Sequence, residues 1–156
     1  MNIQHALISS ERIRMFGFRK KVHDMYYDED INCARVMLTC LGEMLGVKIE
    51  EQLYIAAAGM HGAGGYRAQC GLAEGALLFI SVYCHSLGLS EEAAVSACYQ
   101  FGESFEKEFG SLRCRELRPQ GFNADDEPHM CEGLTCKAVE FAYIFCKERV
   151  GILCEE

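Results

Sequence analysis

Ten of the 156 residues are cysteines, and what a thiol can do depends on its setting. Cys70 has the least ordinary one. It ends the stretch GMHGAGGYRAQC, in which Gly59, Gly62, Gly64 and Gly65 fall within seven residues, and it opens the small-residue run CGLAEGA. Glycine admits positive φ and lets a backbone approach another group closely. A cysteine at the first turn of a following helix would sit among unpaired N–H groups at the positive end of the macrodipole. Such settings favour the thiolate and bring cysteine pKa values to about 3.5–7.5. Gly71, Ala73, Gly75 and Ala76 would keep the first turns thin, leaving room for another helix or a bulky inorganic centre. The competing account makes Gly59 a C-cap and the small residues an aid to close helix packing. A phosphate cradle has little support, because no G-x-x-x-x-G-K-[ST] string is present.

Helical geometry sorts the remaining cysteines. Cys33 and Cys40 share a face with Met37 and Met44 but stand two turns apart, about 10 Å. Cys70 and Cys84 share a face over four turns, about 21 Å. Neither pair can close a disulfide, which needs Cα atoms within about 7 Å. Cys33 and Cys70 therefore need partners from elsewhere in the fold. Cys40, Cys84, Cys98, Cys146 and Cys154 read as small buried hydrophobes or bystanders.

The elements that must position these thiols read as helices throughout. The first spans about Ser10 to Tyr26 and is broken by Tyr27-Asp-Glu-Asp; the second runs from Asn32, its N-cap, to Leu45, with Gly46 as its stop. A short third, EEQLYIAAA, ends at Gly59, and a fourth runs from near Cys70 to Gly88. Ser90-Glu-Glu opens a fifth, which carries Ala94, Cys98, Phe101, Phe105 and Phe109 at helical spacing before Gly110. The last holds Ala138, Phe141, Ala142 and Phe145 on one stripe and ends near Gly151. Only Ser111 to Met130, with both prolines, lacks periodicity. No strand alternation or internal repeat is visible. The expected fold is all-α: one domain over 1–156, a bundle of five to six helices with a glycine-rich loop before the central one.

Composition sets the context. The chain is 50% hydrophobic and 24% charged, which suits a globular domain. No continuous apolar h-region opens it, and the longest apolar stretch, Gly75 to Cys84, is half a bilayer span. The expectation is a cytoplasmic protein with reduced thiols and no membrane insertion. A net charge of −8 argues against nucleic acid as a partner. Residues 1–27 nevertheless hold five basic and two acidic residues. They read as a basic helix packed on the acidic body or extending from it, and a docking arm for an acidic partner is the alternative.

The ordered pieces Asn32-Cys33-Ala34, the glycine-rich loop into Cys70-Gly71-Leu72-Ala73-Glu74-Gly75, and Glu108-Phe109-Gly110-Ser111-Leu112-Arg113-Cys114-Arg115-Glu116-Leu117 resemble the redox-active C_GCAxxG_C_C proteins. That family shares four cysteines and a C-G-A-x-x-G motif, and the likeness covers roughly residues 20–150. Leu72 departs from the motif's alanine, and His61 enters a loop usually richer still in glycine. The resemblance implies a redox role for Cys33, Cys70, Cys114 and a fourth cysteine, either Cys131 or Cys136. Arg35, Arg67, Arg113 and Arg115 lie close to this set in sequence and would favour thiolates or an anionic cluster.

Two chemistries follow. Four thiolates meet the ligand count of an iron–sulfur centre, a [2Fe–2S] cluster first among them, and would make a one-electron carrier serving an unidentified redox partner protein. The spacings match no standard ferredoxin string. In the alternative, Cys70 attacks a disulfide and another of the four, Cys33 first, resolves it, although no C-x-x-C is present. A zinc site at His129, Cys131 and Cys136, or a non-catalytic helical interaction module, stands further down. A homodimer is compatible with either chemistry.

Overall fold

A computed structural model describes residues 17–151. Eight helical segments follow one another: α1 (residues 17–27), α2 (Cys33–Leu45), α3 (Glu51–Ala56), α4 (Gly62–Gly65), α5 (Gly71–Ser86), α6 (Glu91–Phe109), α7 (Cys114–Leu117) and α8 (Glu132–Phe145). Of these, α4 and α7 are single turns. A 3₁₀ turn, Ala57–Gly59, continues α3, and a π turn, Cys146–Val150, continues α8. Among the described residues there is no strand, only one isolated antiparallel bridge, Gln69 with Arg113. The chain is an all-α bundle, as its periodicity predicts.

The helix ends follow local chemistry. Asn32 caps α2 by accepting the Arg35 N–H, and Gly46 stops it in the left-handed region. Ser90 caps α6 through the Ala93 N–H, and Gly110 ends it with φ +89°. The irregular stretch after Gly110 holds one structured turn that periodicity does not reveal. Ser111 Oγ accepts the Arg113 N–H and donates to Glu116, which fixes α7 locally.

The central helix is α5. Its small residues let α2 cross it closely: a Cβ on Gly75 would fall 2.5 Å from Ala34 O and 2.9 Å from Met37 Cβ. On its other side α5 packs on α6, and α8 lies across α2 and α5. Phe101, Phe105 and Phe109 of α6 interlock with Phe141 and Phe145 of α8, with ring centroids 5.2–6.3 Å apart across the two helices. Phe18, Val22, Met25 and Tyr26 seat α1 on the same core. Two basic side chains of α1 meet acidic partners on neighbouring helices, Lys21 with Glu43 and Arg19 with Glu140, and Lys20 pairs with Asp24 within α1. Exposed pairs of this kind contribute little stability, so the apolar face is what docks α1. Ser10 to Phe16 and Cys154 lie outside the described residues. No described helix is long and apolar enough to cross a membrane.

Candidate functional site

Four cysteines meet at one end of the bundle, and each begins a helical segment. Cys33 is the first residue of α2 and Cys114 of α7; Cys70 is the N-cap of α5 and Cys131 that of α8. Three long helices thus turn their N-termini, with unpaired N–H groups, toward the same region.

The loop between α3 and α5 is what brings the sulfurs together. Asn32, while capping α2, donates its side-chain N–H groups to Ala57 O and Ala58 O, at 3.2 and 2.9 Å. The chain then turns through left-handed conformations at Gly62, Ala63, Gly64, Gly65 and Arg67. Two backbone bonds of 2.7 Å zip its end to the α7 segment: Cys70 N–H donates to Leu112 O, and Cys114 N–H to Ala68 O. That short antiparallel contact sets Cys70 beside Cys114. Gly71 supplies the last clearance, because a Cβ there would collide with the Cys33 sulfur and sit 2.7 Å from Met60 O. Gly62 lies close to a cysteine as well, since a Cβ there would sit 3.4 Å from Cys114 Cβ, whereas Gly59, Gly64 and Gly65 face open space.

Cys33, Cys114 and Cys131 line a cleft of about 680 Å³, with Cys70 buried at 5% exposure. The thiols feel one another. Burial pushes Cys33 up to about 12, and the negative charges that Cys70, Cys114 and Cys131 would carry add to that rise. Burial pushes Cys70 up to about 11, against the pull of the Leu72 and Ala73 N–H groups. Those two groups favour the thiolate, although no side-chain hydrogen bond closes the cap. Burial also raises Cys114 and Cys131; Arg118 opposes both rises, and Arg67 opposes that of Cys114. The low pKa expected for Cys70 is therefore corrected. The helix N-terminus is present, but desolvation outweighs it.

Other walls of the cleft come from α1 and the segment before α8. The buried Tyr26 hydroxyl bonds Thr135 Oγ1 at 2.7 Å, and burial and the neighbouring Cys33 hold it far above its ordinary value. Its ring stacks on His129, which faces Asp30 at 3.4 Å. Arg67 and Arg118 both lie over the Phe122 ring, 4.1 and 4.2 Å from its centre.

The profile of the family described as "Putative redox-active protein (C_GCAxxG_C_C)" matches residues 31–144. The chain belongs to this family. The match spans all four converging cysteines and both candidates for the fourth place. Comparison with curated proteins and with solved structures returns no match.

Within this C_GCAxxG_C_C chain, Cys131 joins the cleft and Cys136 does not. Cys136 neighbours Arg19, Glu132 and Cys40 instead, on the other side of α8. His129 and Cys131 share the cleft wall, but Cys136 stands apart from them, so the zinc trio is not assembled. Among the described residues no three His, Cys, Asp or Glu side chains are close enough to hold a single metal ion. Cys40, Cys84 and Cys146 are buried in the core, as the helix faces imply. Of the arginines near the set in sequence, Arg67 and Arg35 reach the cleft. Arg35 is spent on Tyr54, bonding its carbonyl at 2.9 Å and covering its ring. Arg113 and Arg115 point to Glu116 and to Arg67 O. Sequence reasoning missed Arg118, Phe122 and Tyr26. The first two lie in the aperiodic segment, where only the turn residues Pro119 and Gly121 give a signal.

Proposed function

We propose that this redox-active chain is a one-electron carrier whose Cys33, Cys70, Cys114 and Cys131 ligate an iron–sulfur centre. The observation that carries the reading is the convergence of these four thiols from four separate backbone segments: Cys33, Cys114 and Cys131 line one cleft, the Cys33 sulfur abuts Gly71 next to Cys70, and backbone bonds set Cys70 beside Cys114. Four sulfur donors suit such a cluster in kind and number. When bound, the centre would supply a one-electron couple delocalised over iron and sulfide.

The chain's own residues do the rest. Metal-free, burial raises all four thiols above their ordinary value and so opposes their ionisation, and at Cys33, Cys70 and Cys131 neighbouring cysteines add to the rise. Assembly therefore releases their protons, and cationic iron relieves the repulsion. The Leu72 and Ala73 N–H groups favour negative charge on the Cys70 sulfur. Tyr26, hydrogen-bonded to Thr135 and neutral, walls the site without adding charge. The same burial weakens the alternative of thiol–disulfide exchange. With Cys70 pushed up to about 11, its thiolate fraction at pH 7 is on the order of 10⁻⁴, a poor attacking group.

Protein produced with adequate iron and kept from oxygen should be brown and contain iron and acid-labile sulfide. Serine at Cys33, Cys70, Cys114 or Cys131 should abolish or destabilise the centre, whereas Cys136→Ser should leave it intact. Colourless, iron-free protein with a reversible disulfide at Cys70 would overturn the cluster and restore thiol–disulfide exchange.

A further inference from the structure

We propose that a second copy of this chain closes the mouth of the four-cysteine cleft, the basic, apolar arc of each copy seated on the acidic arc of the other. The consequence for electron transfer rests on the cluster reading above, whereas the surface itself is read from exposure and charge.

The first arc is the loop between α3 and α5. In a chain of net charge −8, no carboxylate occurs between Glu51 and Glu74. Three large apolar side chains stand out from it: Ile55 is 58% exposed, Met60 36% and Tyr66 77%. Arg67 and Arg115 edge this surface, joined by the bond from Arg115 Nε–H to Arg67 O at 3.2 Å. Both are exposed, and neither has a carboxylate within ion-pair distance among the described residues. The second arc is made by two turns, residues 28–30 and 125–127. The Tyr27 hydroxyl donates to Pro128 O at 3.4 Å, and Asp30 faces His129 at 3.4 Å, which holds the turns side by side. Asp28, Glu29, Asp125 and Glu127 are exposed and have no basic side chain within ion-pair distance among the described residues. Tyr27, 47% exposed, adds an apolar contact beside them.

Both arcs border the same cleft, Gly65 and Arg67 from one and Asp30 and Glu127 from the other. Three arginines and three carboxylates line that cleft, so its charges balance. Two of the arginines are already engaged, Arg118 with Asp126 and Arg35 with the Tyr54 carbonyl. What is left is divided in space: unpaired guanidinium groups on one arc, unpaired carboxylates on the other. Such a surface complements itself. A two-fold axis running along the cleft sets the basic arc of each copy on the acidic arc of the other, and both contacts form at once. A foreign partner would have to carry the inverse of both arcs, which a second copy does by construction. Exposed Tyr, Met and Arg are also the side chains that anchor interfaces. The net charge of −8 opposes association. At about 0.15 M salt, however, charges beyond about 8 Å are screened while contact pairs are not. The closed dimer would set two one-electron centres mouth to mouth and exclude solvent from both.

Sedimentation equilibrium on chelated, reduced, full-length protein tests this without a cofactor. At about 100 µM chain and about 0.15 M salt it should report the mass of two chains. Arg67→Glu with Arg115→Glu turns the basic arc acidic. Asp28→Lys, Glu29→Lys and Glu127→Lys together turn the acidic arc basic. Each variant alone should self-associate about tenfold more weakly or worse, because its two arcs now carry the same sign. An equimolar mixture of the two should recover a dimer, since every arc then meets one of opposite sign. Tyr66→Ser, at an exposed side chain, should weaken the wild-type dimer about tenfold. Far-UV circular dichroism checks each fold, and Tyr66→Ser carries the test if a charge variant unfolds. Wild-type protein that stays monomeric at that concentration would overturn the proposal. So would a dimer indifferent to the folded variants, or folded charge variants that do not pair when mixed. A dimer in protein that never takes up iron would sink the cluster and leave the interface standing, and a monomer that takes up iron would do the reverse.

Discussion

Gly71 shows how much one missing methyl decides at this site. A Cβ at this position would clash with the Cys33 sulfur, and Met60 O closes the other side. Gly71→Ala should therefore displace Cys33 from Cys70. We expect a loss of about 1–3 kcal/mol in urea unfolding, the usual cost of overpacking, together with failure to take up iron. Iron uptake equal to that of the wild type would show that the Cys33–Gly71 contact does not matter to assembly. The requirement was half legible in the sequence: a glycine run before a cysteine signals close approach, but not which atom approaches. The choice between Cys131 and Cys136 was not legible at all. They are five positions apart, so they leave α8 on different sides, and only the packing of α8 on α2 decides which side meets the cleft. The pKa of Cys70 failed for a related reason. Its helix N-terminus is a local feature, whereas the burial that overrides it is contributed by other segments.

The elements were far more readable than the site, because their ends obey local rules. Asn32, Gly46, Ser90 and Gly110 cap or stop helices by contacts within a few residues, and each does so in the structure. Asn32 also does something no cap rule foretells, tying α2 to the carbonyls of Ala57 and Ala58. Two substitutions separate these roles. Asn32→Ala removes the cap and both ties and should cost about 1–2 kcal/mol in urea unfolding. Asn32→Asp keeps an acceptor for the Arg35 N–H but has no donor for the carbonyls. It should hold α2 while accelerating amide exchange across residues 59–66. Exchange there as slow as in the wild type would show that the loop is held by its backbone bonds alone. Segment 111–130 was unreadable because polar contacts such as Ser111 with Glu116 and Arg118 with Asp126 organise it, and these leave no period in a sequence.

At the scale of the whole molecule, an unusual number of protonated thiols is stored in the interior. Burial pushes Cys33, Cys40 and Cys146 up to about 12 and Cys70 to about 11, against an ordinary value of 9.0. A raised acid pKa means that the folded state keeps a proton the unfolded chain gives up. The contribution to stability is then complete below about pH 9 and is lost as pH rises through 11 to 12. Metal-free protein should therefore show a urea midpoint that is flat in this respect from pH 7 to 8.5 and falls steeply above pH 9. Cys40 and Cys146 lie away from the cleft, so their share of the loss persists whatever the site holds. Cys33 and Cys70 differ. If they ligate iron, their protons have already gone at neutral pH, and their share of the alkaline loss disappears with them. Iron-loaded protein should consequently lose stability less steeply between pH 9 and 11 than metal-free protein, and Cys146→Ala should flatten the slope equally in both. Identical alkaline slopes with and without iron would mean that Cys33 and Cys70 keep their protons in the loaded state, and would remove them from the ligand set.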